Sequence, residues 1–173
     1  MKDFKVIEVK RSIFEDNNAD ADKLRAELKS EGTFLLNLMS SPGAGKTTTL
    51  KRTISMLKDE MKIGVMEADI DSDVDAQAIS ETGVRAIQIH TGGMCHLDAK
   101  PLKYPLMFSI CDVVLINKCD TLSVFDDFSK EAVKERILKL NPDAKIFFVS
   151  AKTGEGFDEW ADWIRTEISK YQK

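Results

Sequence analysis

The chain is short of several things that would have settled its class at once. It has three cysteines in 173 residues, and no two of them form a Cys-x-x-Cys pair. An odd, unpaired count argues against a disulfide framework and for a reducing compartment. Basic charge is not in excess: 25 lysines and arginines stand against 29 acidic side chains, a net charge of -4. Nothing is left over to neutralise a phosphate backbone, which argues against nucleic acid as the main partner. No apolar run approaches the roughly 20 residues that span a bilayer, and Met1-Lys2-Asp3-Phe4-Lys5 has no signal-peptide core. The expectation is a cytosolic protein with no membrane partner. Repeats, low-complexity tracts and linkers are missing too, so residues 1–173 are read as a single domain.

What the chain does have begins at Phe34-Leu35-Leu36-Asn37-Leu38-Met39, a short apolar run that reads as a buried strand. It leads into Ser40-Ser41-Pro42-Gly43-Ala44-Gly45-Lys46-Thr47-Thr48, followed by a helical pattern. Strand, glycine loop and helix in that order are what a phosphate-binding P-loop requires. Gly43 and Gly45 let backbone N–H groups turn inward without a Cβ in the way. The helix starting near Lys46 adds its unpaired N–H groups and positive dipole end. Lys46 is expected on the β/γ-phosphates and the Thr47 hydroxyl on Mg²⁺. Ser40 stands where the strict pattern has glycine.

Around this loop the pattern alternates strand and helix. Residues 1–14 carry Val6-Ile7-Glu8-Val9 and Ile13-Phe14, which fit a short strand or a helical arm; up to about residue 31 the chain is taken as a short N-terminal helical arm. Asn17 to Glu31 reads as a polar helix stopped by Gly32. Leu50, Ile54 and Leu57 stripe a helix running to about Lys58. A strand at Ile63–Met66, a helix from Ser72 to Thr82 stopped by Gly83, and a strand at Val84–Ile89 follow. Pro101–Ile110 reads as a helix on the sheet, Asp112–Ile116 as a fully buried strand, and Val133, Ile137 and Leu140 as a helix ended by Asn141-Pro142. Ile146–Val149 is the last strand, and Phe157, Trp160, Ile164 and Ile168 stripe the last helix. The fold class is therefore α/β, a mostly parallel sheet with helices on both faces.

Two further motifs follow strand ends, where ligands bind in open α/β sheets. Asn117-Lys118-Cys119-Asp120 comes after the strand at Ile116, and Ser150-Ala151-Lys152 after the strand at Val149. A carboxylate at Asp120 can accept from the ring N1–H and exocyclic amine of guanine, a donor pair that adenine lacks. Asn117 can brace the loop or contact the ring, the Lys118 stem can lie on the base, and the Ala151 N–H is placed for the 6-oxo group. Between the motifs, Asp69 is the candidate for Mg²⁺ or for the attacking water. Asp71 and Asp73 read as a solvated loop and a helix start, and Asp75 as a capping acid. Cys95-His96 puts a thiolate beside an imidazole, ligands suited to Zn²⁺ or Ni²⁺. Two adjacent ligands do not close a four-coordinate site; two copies in a dimer would.

Taken together, the P-loop stretch, Cys95-His96-Leu97-Asp98-Ala99 and Asn117-Lys118-Cys119-Asp120 resemble the GTPases that insert nickel during hydrogenase maturation. Lys100-Pro101-Leu102-Lys103-Tyr104-Pro105 and Asn141-Pro142-Asp143-Ala144 extend the resemblance from about Gly32 to the C-terminus. It implies a dimerising P-loop GTPase that hydrolyses GTP to GDP, with a metal site at a nucleotide-dependent homodimer interface and accessory maturation proteins as partners. Carried over, Gly43, Ala44, Gly45, Lys46, Thr47 and Thr48 hold the phosphates, with Thr47 and Asp69 on Mg²⁺. Lys46 and Asp69 serve catalysis. Asn117, Lys118, Asp120, Ser150, Ala151 and Lys152 hold the base, and Cys95 and His96 ligate Ni²⁺ or Zn²⁺. Ser40 then matches the family. The N-terminus has neither a cysteine motif nor a histidine-rich tract, and Ala99 runs into Lys100 where the family has a helix and two strands. The first of those strands leads to a nucleotide-sensing loop with a third metal-binding cysteine, and no Asp-x-x-Gly occurs here. A chain break is expected at that junction. The competing readings are a urease-type nickel GTPase, whose Cys-Pro-His motif is absent, and a nucleotide-gated metal-binding module without useful turnover.

Overall fold

The computed structural model describes residues 5–8, 17–69, 74–90, 108–109, 111–125 and 127–172, with backbone alone for 5–8, 17–21, 67–69, 74–76 and 88–90. Cys95, His96, Asp71, Asp73, Ser72 as a cap, most of the expected Pro101–Ile110 helix and the Ala99–Lys100 junction lie outside the described residues.

The first described element is a strand, β1 (Lys5–Glu8). It pairs in parallel with β3 (Arg85–His90), which pairs in parallel with β2 (Gly64–Asp69). The N-terminal arm is therefore not simply helical: Val6 and Ile7, both β-branched, sit in a ladder, and helix α1 (Asn17–Ser30) comes after it. Gly32 ends α1 with φ +67°, and the bonds Gly32 N–H to Lys29 O and Thr33 N–H to Leu28 O close the turn as a Schellman motif. A second parallel pair, β4 (Val113–Ile116) with β5 (Lys145–Phe148), forms a separate sheet.

Helices α2 (Lys46–Leu57), α3 (Val74–Ser80), α4 (Lys130–Leu140) and α5 (Phe157–Tyr171) complete the alternation. The core has two parts, and α2 serves both. Ile54 packs with Ile79 of α3 and Ala86 of β3, all nearly solvent-free. Leu57 packs with Val149 and with Phe157, Trp160, Ala161 and Ile164 of α5. Each large aliphatic or phenylalanine side chain among them contributes on the order of 1.5–3 kcal/mol of burial. The indoles of Trp160 and Trp163 stack at 5.3 Å, and the Trp160 Nε1–H donates to Thr53 Oγ1 of α2 at 3.0 Å. An apolar anchor thereby keeps its one polar atom satisfied.

Two expectations fail in an instructive way. Phe34–Met39 is not a buried strand: residues 33–40 carry no regular structure, and Leu35 and Met39 are 54% and 51% exposed. Among the described residues, no backbone hydrogen bond involves residues 34–40. β4 is half-buried at all four positions rather than fully buried. The physical reason is shared. A strand is stabilised by ladder partners and by cover on both faces, and among the described residues β4 has one ladder neighbour and the 34–39 stretch has none. Phe34 alone finds an aromatic partner, edge-on to Tyr171 at 5.7 Å.

Near the far end of α2, Arg165 binds Glu60 through two bonds of 2.7 Å and Asp162 through one of 2.6 Å. The guanidinium holds the Glu60 carboxyl below its ordinary range. A depressed carboxylate pKa contributes stability above the unfolded value and loses it as pH falls through the folded value. Glu60→Gln should therefore lower the urea midpoint at neutral pH and have no effect well below the carboxylate range. The size of the shift is modest for so exposed a pair.

Candidate nucleotide site

The start of α2 differs from that of α4 in a way that suits a phosphate. Ser129 caps α4, accepting from the Ala132 N–H at 3.1 Å. The N-cap of α2 is Gly45, with no side-chain cap and no acidic residue in the first turn. No acidic side chain of its own first turn opposes the positive end of its dipole. Gly43 and Gly45 have φ +77° and +90°, a region that disfavours any Cβ. At Gly45 a Cβ would also run into the Asn117 amide nitrogen. Thr47 is half-buried and Thr48 exposed on the first turn. The Ala44 N–H donates to the Ser41 carbonyl at 3.2 Å, so a phosphate at that amide has to compete with a bond inside the loop.

Asn117 follows β4 and is the link between loops. Its Nδ2 donates to the Ala44 carbonyl at 2.9 Å, and its Oδ1 accepts from the Ala151 N–H at 2.9 Å. Lys118, at φ +66°, sends Nζ to the Gly43 carbonyl at 2.8 Å. The three loops expected to hold one nucleotide are thus hydrogen-bonded into one unit. Asn117 is a brace; the Ala151 N–H expected on a guanine 6-oxo group is committed to Asn117, and the Lys118 ammonium is anchored on the P-loop.

Ser150 is fully buried and donates to Asp120 Oδ1 at 2.7 Å, while its Oγ accepts from the Thr153 N–H at 3.1 Å. One carboxylate oxygen is fixed by a neutral donor, and Oδ2 has no bond to a described residue. Cys119 is buried between them, and burial followed by Glu155 pushes its thiol up, keeping it protonated and unreactive. Asp69 is the last residue of β2, in register with His90. Among the described residues no cluster of metal-ligating side chains occurs.

Sequence reasoning missed Arg52. From the side of α2 opposite the apolar stripe, its Nε donates to the Ala151 carbonyl at 2.9 Å and its Nη2 to the Lys152 carbonyl at 3.1 Å. An arginine in a helix carries no signal for a partner 99 residues away; only the tertiary fold supplies it.

A parallel α/β scaffold, a glycine loop opening a helix, and an Asn-Lys-x-Asp loop hydrogen-bonded to it define a P-loop nucleotide-binding protein of the GTPase class. The comparisons narrow this further. A family profile described as CobW/HypB/UreG, nucleotide-binding domain, matches residues 34–107. The hydrogenase maturation factor HypB of Rhizobium leguminosarum bv. viciae is 34% identical over 220 aligned positions, covering 98% of this chain and 73% of the relative. The hydrogenase/urease maturation factor HypB of Helicobacter pylori strain J99 is 30% identical over 94% of this chain and 87% of its own length. Among solved structures, HypB from Helicobacter pylori in complex with nickel aligns with a TM-score of 0.74 at 28% identity over 92% of this chain and 98% of that one. HypB from Archaeoglobus fulgidus aligns at 0.72 and 26% identity, over 88% of this chain and 98% of that one. The chain belongs to the HypB family of hydrogenase maturation factors.

The brace makes a direct prediction. Asn117→Ala leaves the Ala44 carbonyl and the Ala151 N–H without their partner, an unsatisfied pair costing about 1–3 kcal/mol. Guanine-nucleotide affinity should fall roughly tenfold or more by isothermal titration, with Gly45 no longer crowded.

Proposed function

We propose that the chain binds GTP with Mg²⁺, hydrolyses it to GDP and phosphate, and uses the nucleotide state to gate nickel delivery during hydrogenase maturation. The observation that carries this reading is the joining of the phosphate loop to the base loop through Asn117 and Lys118. Family membership supports it: relatives bear the name of hydrogenase maturation factor, and one solved relative is described in complex with nickel. Mg²⁺ suits the Thr47 hydroxyl and the Asp69 carboxylate, hard oxygen donors on α2 and at the end of β2. Bound there, it would neutralise developing phosphate charge. Lys46, Gly43, Gly45, Thr47 and Thr48 hold the phosphates, and Asp120, steadied by Ser150, reads the guanine edge. Cys95 and His96 take the cargo, with a second copy of the chain completing the ligand set. Ni²⁺ is the proposed metal, and Zn²⁺ would close the same ligands tetrahedrally. Maturation accessory proteins are the proposed partners, and the cytosol is the proposed location.

A second reading keeps GTP binding and dimerisation but drops useful turnover. Two observations favour it. The stretch before the P-loop is largely exposed and has no backbone hydrogen bond to a described residue. The alignment with the Rhizobium relative runs over 220 positions although the chain has 173 residues, so the relative has residues with no counterpart here. The Ala99–Lys100 junction is where we place that missing segment. Phosphate release with and without Mg²⁺ separates the readings: turnover supports the enzyme, and tight GTP binding without release supports the module.

Two tests address the specificity. Parent protein should bind GTP far more tightly than ATP, and Asp120→Asn should shift preference toward xanthine nucleotides, because an amide offers the complementary donor. Equal affinities for ATP and GTP in the parent would defeat the guanine assignment. For the cargo, Ni²⁺ titration should give about one shared metal per dimer, lost in Cys95→Ala with GTP affinity little changed. A purely structural Cys95 would instead lower stability and leave metal stoichiometry alone.

A further inference from the structure

We propose that Arg52 is a positioning residue for guanine recognition, acting from the P-loop helix on the peptide between Ala151 and Lys152. The inference rests on the guanine-nucleotide reading and extends it to a side chain outside the nucleotide motifs. One guanidinium holds two successive carbonyls, Ala151 O at 2.9 Å and Lys152 O at 3.1 Å. Two donors of a rigid planar fork on two acceptors fix direction as well as distance. In a trans peptide the C=O of one residue and the N–H of the next point to opposite sides. Drawing the Ala151 carbonyl onto α2 therefore turns the Lys152 N–H away from the helix.

That orientation matters because of how the neighbouring donors are committed. The Ala151 N–H donates to Asn117 Oδ1, and the Thr153 N–H to Ser150 Oγ. The Lys152 N–H makes no hydrogen bond to a described residue. It is the backbone donor of this turn left for the 6-oxo group of a purine.

The surroundings of Arg52 are built for a fixed guanidinium. It lies over the Phe157 ring at 5.7 Å from the centroid. On its other side is Gly154, where a Cβ would stand 2.8 Å from Nη1 and where φ is +97°. Any larger residue at 154 would both strain the backbone and displace the arginine. The turn is closed independently by Gly154 N–H to Ser150 O at 2.8 Å and Ser150 N–H to Glu155 O at 2.9 Å. Arg52 is thus not needed to form the turn, only to aim one peptide within it.

The test uses the full chain and three diphosphates. GDP has the 6-oxo group; IDP keeps it and lacks the 2-amino group; 6-thio-GDP keeps the N1–H and 2-amino group and replaces the oxygen by a weak sulfur acceptor. In parent protein GDP should bind more tightly than 6-thio-GDP. In Arg52→Ala, affinity for GDP and IDP should fall about tenfold, while 6-thio-GDP changes little, so the GDP to 6-thio-GDP ratio collapses. Arg52→Lys keeps the stem and charge but reaches one carbonyl at a time, and should narrow the ratio partway. If Arg52→Ala does not fold, the lysine variant decides alone. A ratio unchanged in the folded variants, with all three affinities falling together, overturns the proposal and makes Arg52 a structural residue. Parent protein that binds ADP as well as GDP overturns the guanine reading itself, and that result is visible before any variant is made.

Discussion

The hydrogen bonds of a single amide side chain, Asn117, hold the two ligand-binding loops in one geometry. Both loops hold residues at positive φ, Gly43 and Gly45 in one and Lys118 in the other. Asn117 satisfies a carbonyl on the first and an N–H on a third loop at the same time. Each of those groups would be costly to leave unpaired in a partly buried site. The arrangement also explains the sequence at position 45. The amide nitrogen of Asn117 occupies the space that a Cβ would need, so the glycine is required by a contact as well as by its positive φ. The loops at Gly43–Ala44, Asn117–Lys118 and Ala151 are joined through hydrogen bonds of 2.8–2.9 Å.

The same helix that presents the phosphate site also carries the core. α2 places Ile54 against α3 and β3, and Leu57 against α5 and the end of β5. Among the described residues the two small parallel sheets share no ladder. Their common support is apolar packing on α2, together with the Trp160–Thr53 bond and the Arg165–Glu60 pair beyond the helix end. Stability is therefore unevenly distributed. The α2–α5 side is densely packed, whereas residues 34–40, which lead into the P-loop, have exposed leucines and no backbone hydrogen bond to a described residue.

Chemistry in the base loop is kept quiet except at one atom. Ser150 takes one oxygen of Asp120, and the buried Cys119 thiol is held protonated by desolvation and by Glu155. The second oxygen of Asp120 is left for a ligand. Buried polar groups of this kind are tolerable only because each has its partner. Among the described residues, Asp120 Oδ2 accepts no hydrogen bond and the Lys152 N–H donates none.

Much of this was legible in the chain itself. The alternation of apolar runs and helical stripes announced a parallel α/β fold, Gly32 and Gly83 marked the ends of helices, and the Asn117 and Ser150 motifs do follow strands, whereas the strand expected before the glycine loop is absent from residues 33–40. These are local signals: periodicity, turn chemistry and spacing are written in neighbouring residues. The partners of side chains were not. Lys118 anchoring the P-loop, Ala151 committed to Asn117, and Arg52 gripping a loop 99 and 100 residues away depend on which surfaces meet after folding. The apolar stretch Phe34–Met39 shows the limit most clearly. Its composition is that of a buried strand, but composition specifies only willingness to pair. Whether a strand forms is decided by a neighbour with free backbone groups at ladder distance, and the described residues supply none.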